Sequence, residues 1–314
     1  LAQRFWPAAR GGCFLGLLLS TILYCRGRKR MQEGLVDRGA SCPTVSAKRS
    51  VAAAKTAEFD ARGTAEHFYC GVEWNPRTFF DVDIKMFNYL VGAVMLACNV
   101  ASALALHLET RSVPSYAMSC YTLMMLWFIV EYLYHEHVHT FTYDIFRERT
   151  GLKMCWGCWC FYPFFYPIGI WACVDSAVDV SLSSAILIGA LFLTGWSLTR
   201  GANLQKFYHR TGQAWWLMPK NSTVPGSSRR LLCSGFWGVS RHVNYFGEII
   251  QGLALALPGV LVGNSWLPLL YPLYYILLFV GREQDDDVAC AEKYGAAWTK
   301  YKRLVPYKIV PAVY

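Results

Sequence analysis

Long apolar runs separated by short basic segments set the pattern of this chain. Residues 88–107, 154–174 and 182–199 contain no Lys, Arg, Asp or Glu, and Tyr116–Tyr134 carries only Glu131. A helix needs roughly 20 apolar residues to cross the hydrocarbon core of a bilayer, so each of the four reads as one span. Residues 249–280 are equally uncharged, but too long for one span and short for two. Gly263 and Asn264, near the middle of that run, predict a tight helical hairpin whose ends sit in the interface. Near the start, residues 13–25 (CFLGLLLSTILYC) precede Arg26, Arg28, Lys29 and Arg30. That pattern fits a signal-peptide core or the end of a further span. Because the chain opens on Leu1 and not Met, a residual span of a truncated chain is expected.

Composition agrees with the pattern. Of 314 residues, 54% are hydrophobic and 16% charged, against about a quarter charged in soluble domains. An aromatic content of 16% and a mean hydropathy of +0.25 exclude disorder, and no heptad or collagen repeat is present. The 12 cysteines lie mainly inside apolar runs (Cys13, Cys25, Cys98, Cys120, Cys155, Cys158, Cys160 and Cys173), where a thiol behaves as a small hydrophobe, which argues against a disulfide framework. The net charge of +9 is not spread evenly. If the runs alternate across a membrane, residues 26–87, 135–153, 200–248 and 281–314 share one side. Only Arg4, Arg10 and Arg111, of 30 Lys+Arg, fall on the other. This is the positive-inside signature, so the large loops and the C-terminus are expected in the cytosol. It also replaces nucleic acid as the reason for the surplus charge. The expected architecture is all-α, a polytopic transmembrane helical bundle with cytosolic loops and a C-terminal amphipathic helix. Residues 1–87 form the residual span and a polar linker (31–63), and residues 88–314 the membrane domain.

Four constellations could carry chemistry. His135-Glu136-His137-Val138-His139 contains a literal H-E-x-x-H, which on a helix sets two imidazoles on one face, as in a metalloprotease or iron-dependent lipid hydroxylase. The remaining histidines (His67, His107, His209, His242) form no second cluster, so an interfacial helix end is the simpler reading and no metal is assigned. Cys155-Trp156-Gly157-Cys158-Trp159-Cys160 holds one C-x-x-C with no partner pair, which favours packing. Lys206 and Arg210, four apart on a helix continuing from a span, join Arg241 and His242 and the intervening Gly and Trp residues in a set able to hold phosphates and stack a flat ring. Positive-inside basicity alone is the plainer alternative. Arg282, Asp286, Cys290, Lys293, Ala297 and Tyr301 recur at helical spacing, flanked by Tyr294 and Trp298. The plainer alternative there is an amphipathic tail lying on anionic lipid.

The last two sets resemble the sterol reductase family, which includes sterol Δ14-reductases, 7-dehydrocholesterol reductase, Δ24(28)-reductases and the lamin B receptor membrane domain. The matching blocks are Gly71-Val72-Glu73-Trp74-Asn75-Pro76-Arg77, residues 203–210, residues 231–248, residues 293–301 and Val305-Pro306-Tyr307. The resemblance covers residues 69–314. It implies an endoplasmic-reticulum enzyme that saturates one ring double bond of a sterol with NADPH. By similarity Lys206 and Arg210 would take the cofactor phosphates, with Trp237, Arg241 and Asn244 lining the same site. Arg282, Asp286, Lys293, Tyr294 and Tyr301 would close it. Sterol and membrane lipid are the implied partners, with other sterol-pathway enzymes beside them and no nucleic acid. Relatives usually carry more spans before the Glu73 block, so the chain is expected to be incomplete. Asp285 stands where Arg is common, and His135-Glu136 replaces the usual Asn-Glu.

An isolated alkene is not electrophilic, so a proton must reach it before hydride can add. The site therefore needs an acid that keeps its proton near neutral pH. Asp286 ranks first, since desolvation and the neighbouring Asp285 favour the protonated form while Arg282 opposes it. Tyr294 or Tyr301, made more acidic by Lys293, is the rival, and Glu131, alone inside a span, is a third candidate. The residues 155–158 and 234–239 look more like the Δ7 than the Δ14 branch. A catalytically silent sterol-binding scaffold, as the lamin B receptor illustrates, and a metal-dependent lipid hydroxylase are the alternatives.

Overall fold

A computed structural model describes residues 2–33, 63–139, 142, 145, 148–218, 221–225 and 231–314. The main helices are α1 (Ala2–Gln32), α2 (Ile84–Thr110), α3 (Tyr116–Tyr134), α4 (Leu182–Thr211), α5 (Val243–Gly263), α6 (Leu270–Tyr294) and α7 (Ala296–Leu304). Among the described residues, β structure is confined to isolated bridges. Among the described residues, six segments are long and apolar enough to cross a bilayer: Pro7–Gln32, Ile84–Thr110, Tyr116–Tyr134, Leu152–Val174, Leu182–Thr211 and Val243–Gly263. The polytopic helical bundle expected from the hydropathy pattern is therefore present, and residues 13–25 lie within one long helix. Apart from its ends, the polar linker expected at 31–63 falls outside the described residues.

The chain divides into two compact units, Leu1–Ser102 with Leu126–Pro167, and Ala103–Met125 with Ile168–Tyr314. In the first, α1 packs on the start of the Leu152–Val174 segment. Gly16 permits the approach, since a Cβ there would stand 3.1 Å from Trp156 Cα. Within this unit the segment is not regular α-helix throughout: a π-helical turn at Gly157–Phe161 passes directly into an α-helical turn at Tyr162–Phe165 that carries Pro163, which has no N–H to donate. Buried Asn88 braces this stretch, its Oδ1 accepting from Trp159 Nε1 (2.7 Å) and its Nδ2 donating to Cys155 Sγ (3.5 Å). The Gly71–Arg77 block is an anchor for α1: Glu73 pairs with Arg30 (3.0 Å) and Arg26 (3.5 Å). Arg149 lies 4.9 Å over the Trp74 ring and donates to Val72 O at 2.6 Å.

The second unit is built on α4 against α5. A Cβ on Gly195 would stand 2.7 Å from Gly247 O, so only glycine lets the two backbones meet. Thr199 Oγ1 donates to Asn244 O (3.0 Å) and accepts from Gln251 Nε2 (3.2 Å), closing the seam with polar bonds in an otherwise apolar setting. Gly247→Ala is expected to lower the melting temperature of the detergent-solubilised protein, because overpacking costs about 1–3 kcal/mol and the new methyl meets Thr199 and Gly195 O. The hairpin expected around Gly263 and Asn264 is present: Asn264 adopts the left-handed conformation (φ 44°), and Leu267–Leu269 turns the chain into α6. Along the hairpin Tyr245 stacks on Phe279 (4.4 Å), which meets Tyr275 at a tilt (5.1 Å), and Tyr275 meets Tyr271 likewise (4.8 Å).

The single C-terminal helical face expected over residues 282–301 is split. Gly295 (φ 56°) ends α6 and starts α7, so Ala297 and Tyr301 belong to a separate helix. A positive φ cannot continue a right-handed helix, and glycine takes it at the lowest cost.

Candidate functional site

Helix α4 runs past its apolar stretch to Thr211, which carries Lys206 and Arg210 on one face a turn apart. Fully buried Gln205 fixes the neighbouring loop. Its Nε2 donates to Ser234 O (3.0 Å) and Asn221 Oδ1 (2.8 Å), and its Oε1 accepts from Phe236 N (3.0 Å). Gly235 (φ 60°) leaves that amide room, for a Cβ there would overlap it. The loop then forms a short helix, Phe236–Val239, that buries Trp237. Trp237 Nε1 donates to Ala202 O (2.8 Å), its carbonyl accepts from Tyr301 Oη (3.1 Å), and Lys206 Nζ stands 5.1 Å over its ring. A cation over an indole face is attracted by the ring quadrupole, so Lys206 is already aimed.

Helix α6 supplies the facing charges. Asp286 and Lys293 of that helix, with Arg210 of α4 itself, lie close enough to act electrostatically on Lys206. Lys293 Nζ stands 5.0 Å over the Tyr294 ring, which stacks on Trp298 at 6.3 Å. Half-buried Arg282 lies one turn before Asp286 on the same helix. On α5, Asn244 Nδ2 donates to Asn203 Oδ1 (3.4 Å), while the buried Asn244 Oδ1 has no hydrogen-bond partner among the described residues. Lys206, Arg210, Trp237, Asn244, Arg282, Asp286, Lys293, Tyr294 and Tyr301 thus belong to one unit.

Three expected residues have other attachments. Arg241 is buried with NH1 donating to Val305 O (3.4 Å) and Pro306 O (3.3 Å) and NH2 3.9 Å from Glu283. Tyr301 is not made acidic by Lys293, which sits over Tyr294 instead. Burial pushes the Tyr301 hydroxyl up, only partly countered by Arg241, and its proton is spent on Trp237 O. Glu131 lies in the first unit, 3.3 Å from His135 Nδ1. Asp287, next to Asp286, is pulled up by burial, but the Trp298 N–H and the Lys302 ammonium outweigh that and hold its carboxyl low.

His242, just before α5, stacks on Tyr245 (4.9 Å) and is pushed down to about 3, by burial first and then by Lys206 and Arg241. Below pH 6.5 the unfolded chain binds a proton that the folded chain refuses until about pH 3. Stability therefore falls with pH in that window, by up to about 1.4 kcal/mol per unit. The melting temperature of the wild type should drop between pH 6.5 and 5 and that of His242→Gln should drop less; equal slopes in a thermal scan would contradict the buried neutral imidazole.

The H-E-x-x-H residues are engaged locally. His135 Nδ1 is 3.2 Å from Glu131 O, and His139 is 3.0 Å from Tyr132 O with its ring stacked on Tyr132 at 3.7 Å. Among the described residues, no group of three or more His, Cys, Asp or Glu is arranged to hold a metal ion. Cys155, Cys158 and Cys160 are buried in the first unit. Sequence reasoning missed Gln205, Glu283, Lys308 and Tyr314. Glu283 is one of four acids in five residues and lies off the helical stripe that runs from Arg282, so its sequence position does not mark it.

Fold and site define a polytopic helical membrane protein with a cationic, tryptophan-bearing site built from α4, the 231–244 loop, α6 and α7. The chain belongs to the Ergosterol biosynthesis ERG4/ERG24 family, whose profile matches residues 54–314. It is 34% identical over 248 residues to the Delta(14)-sterol reductase of Arabidopsis thaliana, covering 79% of this chain and 65% of that protein. It is 31% identical to the Probable 7-dehydrocholesterol reductase of Acanthamoeba polyphaga mimivirus, covering 81% of this chain and 58% of the relative. To the Delta(14)-sterol reductase LBR of Gallus gallus it is 31% identical over 313 residues, covering 98% of this chain and 45% of the relative. The chain spans less than two thirds of the length of these curated relatives.

Proposed function

We propose that the protein reduces a ring carbon–carbon double bond of a sterol with NADPH, at the endoplasmic-reticulum membrane with residues 281–314 in the cytosol. The carrying observation is the convergence on Lys206 of the Trp237 ring and the charges of Arg210, Asp286 and Lys293. Cations gathered beside an indole suit a phosphate-bearing ligand with flat rings. The buried Asn244 Oδ1 acceptor and Arg241 Nε donor, which have no hydrogen-bond partner among the described residues, add polar groups whose desolvation a polar ligand would recover. The residues present therefore fit NADPH, which when bound supplies hydride.

Lys206 and Arg210 would neutralise phosphate charge, with Arg282 and Lys293 contributing from α6. Trp237, locked at its indole N–H and at its carbonyl, would offer a fixed aromatic edge. Asp286 would hold the proton delivered to the less substituted alkene carbon, leaving a sterol cation for hydride to quench. Tyr301 would support Trp237 and not donate protons. Sidedness rests on the basic segments, which leave only three of the Lys+Arg residues (Arg4, Arg10 and Arg111) on the opposite face.

Relatives carry names for both the Δ14 and the 7-dehydro substrates. Segments 155–158 and 234–239 favour the Δ7 bond by resemblance, whereas Delta(14)-sterol reductases are prominent among the relatives, so the Δ14 bond is the first to test. Solubilised protein given NADPH and a Δ14 or Δ7 sterol should consume one NADPH per bond saturated. No NADPH consumption with either sterol would sink the proposal in favour of a silent scaffold.

A further inference from the structure

Glu283 is the one acid of the α6 cluster at 283–287 whose side chain is completely buried, and no role in the chemistry above requires it. Its Oε2 lies 3.1 Å from Lys308 Nζ and accepts from Tyr314 Oη at 3.3 Å. Its Oε1 faces Arg241 NH2 at 3.9 Å. Lys308 Nζ also reaches Tyr314 Oη (3.1 Å) and stands 4.7 Å over that ring. One buried carboxylate therefore ties together a helix, a loop residue and segment 305–314.

The same segment is laced to the loop through the backbone. Arg241 N donates to Tyr307 O (3.0 Å), His242 N to Lys308 O (2.8 Å), and Ser240 Oγ to Ile309 O (2.9 Å). Lys308 N and Ile309 N both donate to Tyr314 O, so the segment folds back into a hook. The loop so held carries Trp237 three residues before Ser240 and Asn244 two after His242. Without the Glu283 charge, Arg241 and Lys308 would be two neighbouring cations with no anion between them. Lys308 can turn to water, but Arg241 cannot, being only 6% exposed. Removing one member of a buried ionic network leaves the others uncompensated, and the strain falls on the elements they join.

We infer that Glu283 is a positioning residue: with Arg241, Lys308 and Tyr314 it clasps segment 305–314 onto the 235–244 loop and so sets the geometry of Trp237 and Asn244 in the nucleotide site. This rests on the reading of that site as the NADPH site. It also gives Arg241 a different duty from phosphate binding, since both NH groups are committed to the clasp.

The test measures NADPH affinity by direct titration, and kcat at saturating NADPH, on the full chain in detergent. Glu283→Gln keeps shape and removes charge. It should weaken NADPH binding about tenfold while kcat at saturation stays within about twofold, and Glu283→Asp should recover part of the affinity. Lys308→Met and Tyr314→Phe, which touch only the outer half of the clasp, should each cost about threefold in affinity. They decide the matter if Glu283→Gln fails to fold. A merely structural role would lower yield and melting temperature without separating affinity from kcat. Unchanged NADPH affinity in folded variants, or a fall in kcat with affinity intact, overturns the inference. Wild-type protein that binds no NADPH overturns the cofactor reading itself, and the two failures are told apart by that control.

Discussion

Lys206→Ala combined with Arg210→Ala is expected to weaken NADPH binding by about a hundredfold or more. A hydrogen bond to a charged partner contributes about 1.5–3 kcal/mol, or roughly one to two decades in affinity. Lys206 should account for most of the loss, because it is half-buried and aimed over Trp237. Arg210 is exposed, so its contribution is screened and smaller. Wild-type affinity should fall as salt is raised, and the double variant should lose much of that dependence. Titration of NADPH at two salt concentrations checks both points. Unaltered affinity in the double variant would move the cofactor elsewhere.

Asp286→Asn should lower kcat by about 10²–10⁴ while leaving NADPH affinity within a few-fold, because general-acid catalysis typically supplies that much and an amide cannot deliver the proton. Helix α6 carries Asp286 into the same site as Lys206. Tyr294→Phe and Glu131→Gln should keep most of the turnover. Tyr294 is packed between Lys293 and Trp298, and Glu131 pairs with His135 in the other unit. Single-turnover rates for the three variants decide among the donors. A large loss in Tyr294→Phe with Asp286→Asn active would pass the role to the tyrosine.

Much of the fold was legible because hydropathy is a one-dimensional signal. The runs at 88–107, 116–134 and 182–199 each fell inside one helix, and Asn264 marked the hairpin apex of the longest run because asparagine tolerates the left-handed conformation found there. Lys206 and Arg210 were legible as a pair because α4 continues unbroken from apolar to polar sequence. What was illegible depends on chain breaks and long-range partners. Gly295 interrupts the stripe that helical spacing drew from Arg282 to Tyr301. Glu283 is one of four acids in five residues, and only the return of Lys308 and Tyr314 distinguishes it from Asp285. Arg241 looked like a phosphate ligand by type, yet the carbonyls of Val305 and Pro306 take its guanidinium. Gln205 gave no sign at all, since a neutral amide becomes a pin only when Ser234 and Phe236 are folded against it.

The most direct test expresses the chain in cells lacking sterol Δ14- or Δ7-reductase activity and profiles their sterols by mass spectrometry. The proposed function predicts that one accumulated ring-unsaturated intermediate disappears, that its saturated product rises, and that Asp286→Asn abolishes the change at equal expression. An unchanged profile in both strains, with the protein well expressed in the membrane, would contradict it.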